Sequence, residues 1–285
     1  MKKVDSPSAT GTHTHPAVSP EEGDGGHIAY AAQCEPAPLL LQSLRYWHKE
    51  RQDYMAESIA LVNRMRARLY RHASATCQEH KFKCESCRKW ASEVLGLSLS
   101  AKALKGEVFI SPDVVPINAA LVTAWLPLEE LRKEAEKEML AIVKQLPAIE
   151  WIEKTRGFGT LGFAQIIAEA GDLSMYPNPG KLWKRFGLAV VDGGAQRRVK
   201  GDKAFEHGFS PRRRAVIWNI GHSMIMNGDT YKQVYDERKA YEVEKNPEAK
   251  PIVHHKRAQR YMEKRLLLNL WAEWRHSQAK VKLIS

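Results

Sequence analysis

From Leu39 to Arg71 the apolar residues Leu40, Leu44, Trp47, Tyr54, Leu61, Met65 and Leu69 recur at steps of three, four and seven. That spacing keeps returning to one face of an α-helix, so the stretch predicts one helix of about 30 residues with Lys49, Arg64, Arg66, Arg68 and Arg71 largely off its apolar seam. Its length and seam point to a coiled coil or an antiparallel hairpin, with Arg51 and Ser58 interrupting the heptad. The coiled coil would make the chain a homo-oligomer through this helix. A second pattern runs from about Asn118 to Gln145, with Leu121, Trp125, Leu128, Leu131, Ala135, Met139, Ile142 and Leu146 on one side. It can return against the first. Pro127 calls for an early break or kink, and Pro147 ends the run.

Around these helices the chain changes character. Residues 1–38 are rich in Gly, Pro, Ser and Thr and have no apolar period, so a disordered tail is expected. Residues 77–116, polar at first and Gly/Pro/Val-rich at the end, are expected to be an irregular insertion between the helices. The division that follows is a tail over 1–38, a helical hairpin over 39–146, a further domain over 147–227 and C-terminal basic helices over 228–285.

At 44% hydrophobic and 27% charged residues the chain is an ordinary globular protein. Its longest apolar runs, such as Leu39 to Leu41 and Leu266 to Leu268, are far short of the roughly 18 residues of a membrane helix. Lys2 and Lys3 lead into Asp5, Ser6 and Pro7 and not an apolar signal core, so the expected compartment is the cytoplasm and no membrane partner is expected. Against 33 Asp and Glu stand 44 Lys and Arg, a net charge of +11. Such an excess suits a polyanion, because each cation docked on a phosphate releases counterions.

Three of the four cysteines fall close together as Cys77-Gln-Glu-His80-Lys-Phe-Lys-Cys84-Glu-Ser-Cys87. Cys77, His80, Cys84 and Cys87 form a ligand set for structural zinc, with a knuckle-like Cys84-x-x-Cys87, although the link between His80 and Cys84 is short for such a site. The alternative is a set of free thiols on a polar loop. With all four positions filled, a zinc here would order the loop and not catalyse.

From Pro147 to Gly171 two short helical patterns meet at Gly157-Phe158-Gly159. Ile149 and Ile152 mark the first, and Leu161, Ala164, Ile167 and Ala168 the second, with Thr160 as the expected cap. A helix-hairpin-helix of this kind can hold one phosphate on its backbone N–H groups without reading a base. Lys154 and Arg156 would flank it. A plain helical hairpin with a glycine turn is the alternative. Further on come Gly171-Asp172-Leu173, the Pro177 and Pro179 segment, Gly187-Leu188, the Gly193-Gly194 turn with Arg197 and Arg198 after it, and the run from Gly208 to Arg214 that opens another helix.

In the order and spacing of these features, over about residues 145–227, the chain resembles the C-terminal domain of insertion-sequence transposases that combine a RuvC-like nuclease domain, a serine-bearing second domain and, in studied members, a bridge RNA. Piv-type DNA invertases are relatives. The resemblance implies DNA transposition or recombination, with DNA and a structured RNA as partners. Two departures limit it. Where the family carries a serine beside the Gly-Gly turn as its proposed nucleophile, this chain reads Val190-Val191-Asp192, and a carboxylate cannot replace that hydroxyl in forming a phosphoserine link. The nearest hydroxyl, Ser210, precedes Pro211 as a helix cap would. Ahead of the first long helix stand only the 38 tail residues, too few for the nuclease domain, so no catalytic residue is identified. Mg²⁺ would matter only with a nuclease subunit supplied in trans.

The basic residues then give the candidate interface. Arg197, Arg198 and Lys200 follow the glycine turn, Arg212, Arg213 and Arg214 open a helix, and Lys256, Arg257 and Arg260 begin an amphipathic C-terminal helix. Between 181 and 214, ten Lys and Arg face only Asp192, Asp202 and Glu206. The expected molecule is mainly α: a long helical hairpin or coiled coil, then a helix-hairpin-helix transposase-like domain with a small β-hairpin. Its expected function is DNA binding within a transposase family, without autonomous catalysis. A non-catalytic nucleic-acid-binding accessory or regulatory protein, one subunit of a split transposase, and a structural assembly protein are the alternatives.

Overall fold

In the computed structural model, residues 37–77 and 84–284 are described; the expected tail lies outside them but for its last two residues, which begin the first helix, and so does His80. Among the described residues the chain forms eleven α-helices and one β-hairpin. Helix α1 (Ala37–Thr76) runs along α4 (Val115–Val143). Asn118 Nδ2 donates to Met65 O, Ser58 Oγ donates to Glu129, and Arg51 Nε donates to Glu136, so the contacts climb one helix as they descend the other and the pair is antiparallel. Arg51 and Ser58, which interrupt the heptad, therefore both make polar bonds across the hairpin. Trp125 Nε1 adds a bond to Ser58 Oγ at 2.8 Å.

Two expectations fail in this hairpin. Pro127 lies inside α4, which continues unbroken through it. The proline ring is exposed, as is Thr123 one turn earlier. The Thr123 carbonyl, which loses its helical donor to proline, thus lies on the solvated side where water can replace the bond. The insertion over 77–116 is not irregular either. It contains α2 (Glu85–Ser98) and the short α3 (Ala101–Leu104), and α4 has already begun at its end. Ala91 and Leu95 of α2 pack with Met65 and Leu69 of α1 in a small separate core at this end of the hairpin. The Ala91, Leu95 pair is an i, i+4 apolar stripe that the Gly and Pro content of the segment obscured.

The larger core lies at the other end. Here α5 (Ile149–Lys154) and α6 (Thr160–Ala170) form the expected hairpin, followed by α7 (Pro179–Arg185), strands β1 (Val190–Val191) and β2 (Gly194–Ala195), the short α8 (Lys203–His207), α9 (Pro211–Asn227), α10 (Thr230–Lys245) and α11 (Pro251–Ile284). The strands pair antiparallel, Val190 with Ala195 and Val191 with Gly194. Asp192 and Gly193 make the two-residue turn with φ of 51° and 70°, the left-handed pair that Asp-Gly supplies in a tight hairpin. Leu44 of α1, Met139 of α4, Phe163 and Ile167 of α6, Ile217 of α9 and Leu266, Leu270 and Trp274 of α11 belong to one continuous core. The chain is not partitioned at 147 or 228: both ends of the sequence-based division bury side chains in that core. The indole N–H groups of Trp183, Trp271 and Trp274 bond Lys264 O, Tyr176 O and Asp172 Oδ1, which fixes α11 against α7 and the turn before it.

Candidate nucleic-acid interface

Hairpin geometry decides how much of the glycine turn a phosphate could reach. Gly157 has φ +83°, and a Cβ there would meet Gly228 N and Met224 Cα at 3.0 Å. Its backbone is packed on the junction of α9 and α10. Gly159, at φ +69°, is open and itself occupies the cap position of α6, with no side chain bonding the first N–H groups. Thr160 is the first helical residue and does not cap, contrary to the expectation, because the positive φ needed at the cap belongs to glycine. Lys154 and Arg156 are exposed beside the turn, but Asp229 is there too. Its carboxyl is held below the ordinary range by the Thr230 backbone N–H and more weakly by the charge of Arg156.

The three arginines of α9 have different destinations. Ser210 caps the helix, accepting from Arg213 N, with Pro211 at the first position. Consecutive residues on a helix diverge by about 100°; the long side chains of Arg212 and Arg213 nonetheless converge on one buried carboxylate, while Arg214 reaches another. Glu169, 4% exposed at the end of α6, contacts Arg212 Nε at 2.8 Å and Arg213 Nε at 3.2 Å. His48 and Gln52 of α1 bond it as well, each at 3.2 Å. Burial by itself would raise the Glu169 carboxyl, but the bonds from His48, Gln52 and Arg212 hold it at about 2. Arg185 donates twice to Glu169 O, and the Arg45 guanidinium lies against Gly171 where a side chain would stand.

Arg214 contacts Glu263 of α11 at 3.0 Å. That contact is close but not aligned as a hydrogen bond, and both Arg214 Nη1 and Glu263 Oε2 lack a hydrogen-bond partner. Glu263 is fully buried, and Gly221 makes room for it, since a Cβ there would stand 2.9 Å from Glu263 Oε1. Burial pushes the Glu263 carboxyl up to about 7, against the opposing charge of Arg214. The Arg212 to Arg214 run, expected to be a phosphate patch, is thus chiefly engaged in internal ion pairs. Only Arg212, at 55% side-chain exposure, keeps a large solvent face.

Two cations of α11 are also engaged. Arg257 contacts Glu242 at 3.2 Å, and Arg260 donates to Ala189 O at 2.8 Å, just before β1. By contrast Lys154, Arg156, Arg197, Arg198, Lys200 and Lys256 are exposed and make no ion pair among the described residues. Arg197, Arg198 and Lys200 leave β2 as an arm, and Gln196 anchors its base through bonds to Lys184 O and His207 O. Beside that base, Ala195, Arg214, Lys256, Arg257 and Arg260 line a cleft of about 410 Å³ with the exposed indole of Trp218. Sequence reasoning passed over Trp218. Its position four residues after Arg214, on the same helical face, was the available signal.

Cys77, Cys84 and Cys87 come together at the far end of the hairpin, with all three sulfurs within 4.8 Å, a group that could hold a metal ion. The backbone N–H of Cys87 lowers the Cys84 thiol, while the bond with Cys84 and burial push the Cys87 thiol up to about 12. Such crowding opposes ionising all three without a cation among them. Comparison with family models, curated proteins and solved structures returns no match. Among the described residues no helix is long and apolar enough to cross a membrane.

Proposed function

We propose that this chain is a nucleic-acid-binding protein that acts in DNA transposition or recombination, as its resemblance over about residues 145–227 implies. The observation that carries the binding is the unpaired arm of Arg197, Arg198 and Lys200 beside the basic cleft of α9 and α11. Such cations dock on phosphates and set position along a strand without reading sequence. Asp192 serves as a turn former and takes no nucleophilic role in this reading.

Duplex DNA affinity measured against salt tests it. The protein should bind at low salt with a steep slope, and replacing Arg197, Arg198 and Lys200 by Ala should flatten that slope by about 2 to 3. No binding to duplex or structured RNA at low salt would sink the reading. The Arg212→Ala change should matter less than loss of the arm.

The thiol group supports structural zinc as its ion. Sulfurs about 2.3 Å from zinc in a tetrahedron lie about 3.8 Å apart, and Cys77 Sγ and Cys84 Sγ are separated by 3.9 Å. Zinc would join the start of α2 to the end of α1. Metal analysis of purified protein should find about one equivalent, and its removal should loosen that end of the hairpin.

A further inference from the structure

The cleft between α9 and α11 holds a feature that backbone docking does not require. Trp218 is 43% exposed on a helix whose Val216, Ile217, Ile220 and Met224 are buried in the core. Its ring lies parallel to His222 at an interplanar angle of 7° and a centroid distance of 5.8 Å, so the indole plane is held from its own helix. Its main chain is held as well: Gln259 Nε2 donates to Trp218 O at 2.9 Å. The same amide nitrogen serves Glu263, while Gln259 Oε1, on a side chain of a residue 1% exposed, has no hydrogen-bond partner. Gln259 lines the cleft together with Trp218. A buried acceptor left without a donor is costly, and its side chain borders the cleft wall.

Charge completes the picture. Arg214, Lys256, Arg257 and Arg260 border the cleft, and among the described residues only Glu242 and Glu263 pair with them. Lys256 is unpaired, and Arg257 keeps 49% of its side chain exposed. An exposed aromatic plane and surplus cations around a cleft of about 410 Å³ match two parts of a nucleotide, a flat base and its phosphate.

We infer that the cleft takes one unpaired nucleotide of a single-stranded DNA segment, its base stacked on Trp218 and its phosphate beside Lys256 and Arg257. This rests on the proposed nucleic-acid binding and narrows it. A base inside a duplex already has both faces covered, so the indole discriminates in favour of an unpaired strand.

The test compares a 12-nucleotide single strand with a 12-base-pair duplex, both binding to the full chain at low salt. Trp218→Ala should weaken single-strand binding about tenfold and leave duplex binding within about twofold, while Trp218→Phe should keep most of the single-strand affinity. Lys256→Ala should weaken both. If Trp218→Ala changes neither ligand, or weakens both equally, the inference falls and the basic-face reading stands. Failure of Trp218→Phe to rescue would likewise overturn stacking. If the unmodified chain binds neither strand nor duplex, both readings fall together. Because Trp218 is more than half buried, its truncation should lower the thermal midpoint somewhat, so both affinities are read well below the midpoint of each variant, and the unchanged duplex affinity separates binding from folding.

Discussion

Glu169 and Glu263 are both buried carboxylates facing arginines of the same triplet, yet their environments push them in opposite directions. Around Glu169, two arginines, a histidine and a glutamine supply aligned donors, and the charged form is held down to about 2. Around Glu263, one arginine approaches without alignment, one amide donates, and burial prevails at about 7. Coulombic proximity alone does not decide the matter. What separates the two is how many hydrogen bonds compensate the lost water.

The strongest challenge to this contrast is removal of each acid. Glu169→Ala should destabilise by about 3 to 5 kcal/mol, since it strands Arg212, Arg213 and His48 at once. Glu263→Gln should cost far less, and urea midpoints for the two variants would measure the gap; equal losses would erase the distinction. A second, smaller effect is the pH dependence. The folded pKa of Glu263 lies above its unfolded value, so its contribution is complete below about pH 4 and is lost as pH rises through about 7, on the order of 2 to 3 kcal/mol between pH 5 and pH 8. Glu169 has the opposite sign: its stabilisation is present above about pH 4 and is lost as pH falls toward about 2. Thermal midpoints of Glu263→Gln should therefore fall less steeply than those of the parent from pH 5 to pH 8. The smallest effect belongs to Arg212→Ala, about 1 kcal/mol or less, because water screens its exposed pair. Arg213→Ala, with the same partner and 23% side-chain exposure, should cost more.

Much of the architecture was legible in the chain. The seam from Leu40 to Leu69 gave α1 and Ser210-Pro211 gave the start of α9, through local periodicity and backbone preference, whereas the turn expected at Gly193-Gly194 lies one residue earlier, at Asp192-Gly193, with Gly194 already paired in β2. The destination of the arginines was not legible in the same way. Their acceptor Glu169 lies 43 and 44 residues away on another helix, and no local rule brings α6 to α9. Helical phase alone could have warned that Arg212, Arg213 and Arg214 cannot share one face. Thr160 failed as a cap for a related reason: its residue type suits the role, but the turn needed a left-handed residue there. The thiol group was half legible, its spacing visible in the chain and the flanking α2 hidden behind glycine and proline.

At Gly157 and Gly228 two turns meet with no side chain between them, backbone against backbone. The hairpin of α5 and α6 is consequently joined to the helix that carries Trp218. That contact acts as a ruler: the distance from the open Gly159 turn to the cleft is set by bare main chain and not by a linker. On the proposed nucleic-acid binding, a strand that touched both would have to match that fixed span itself.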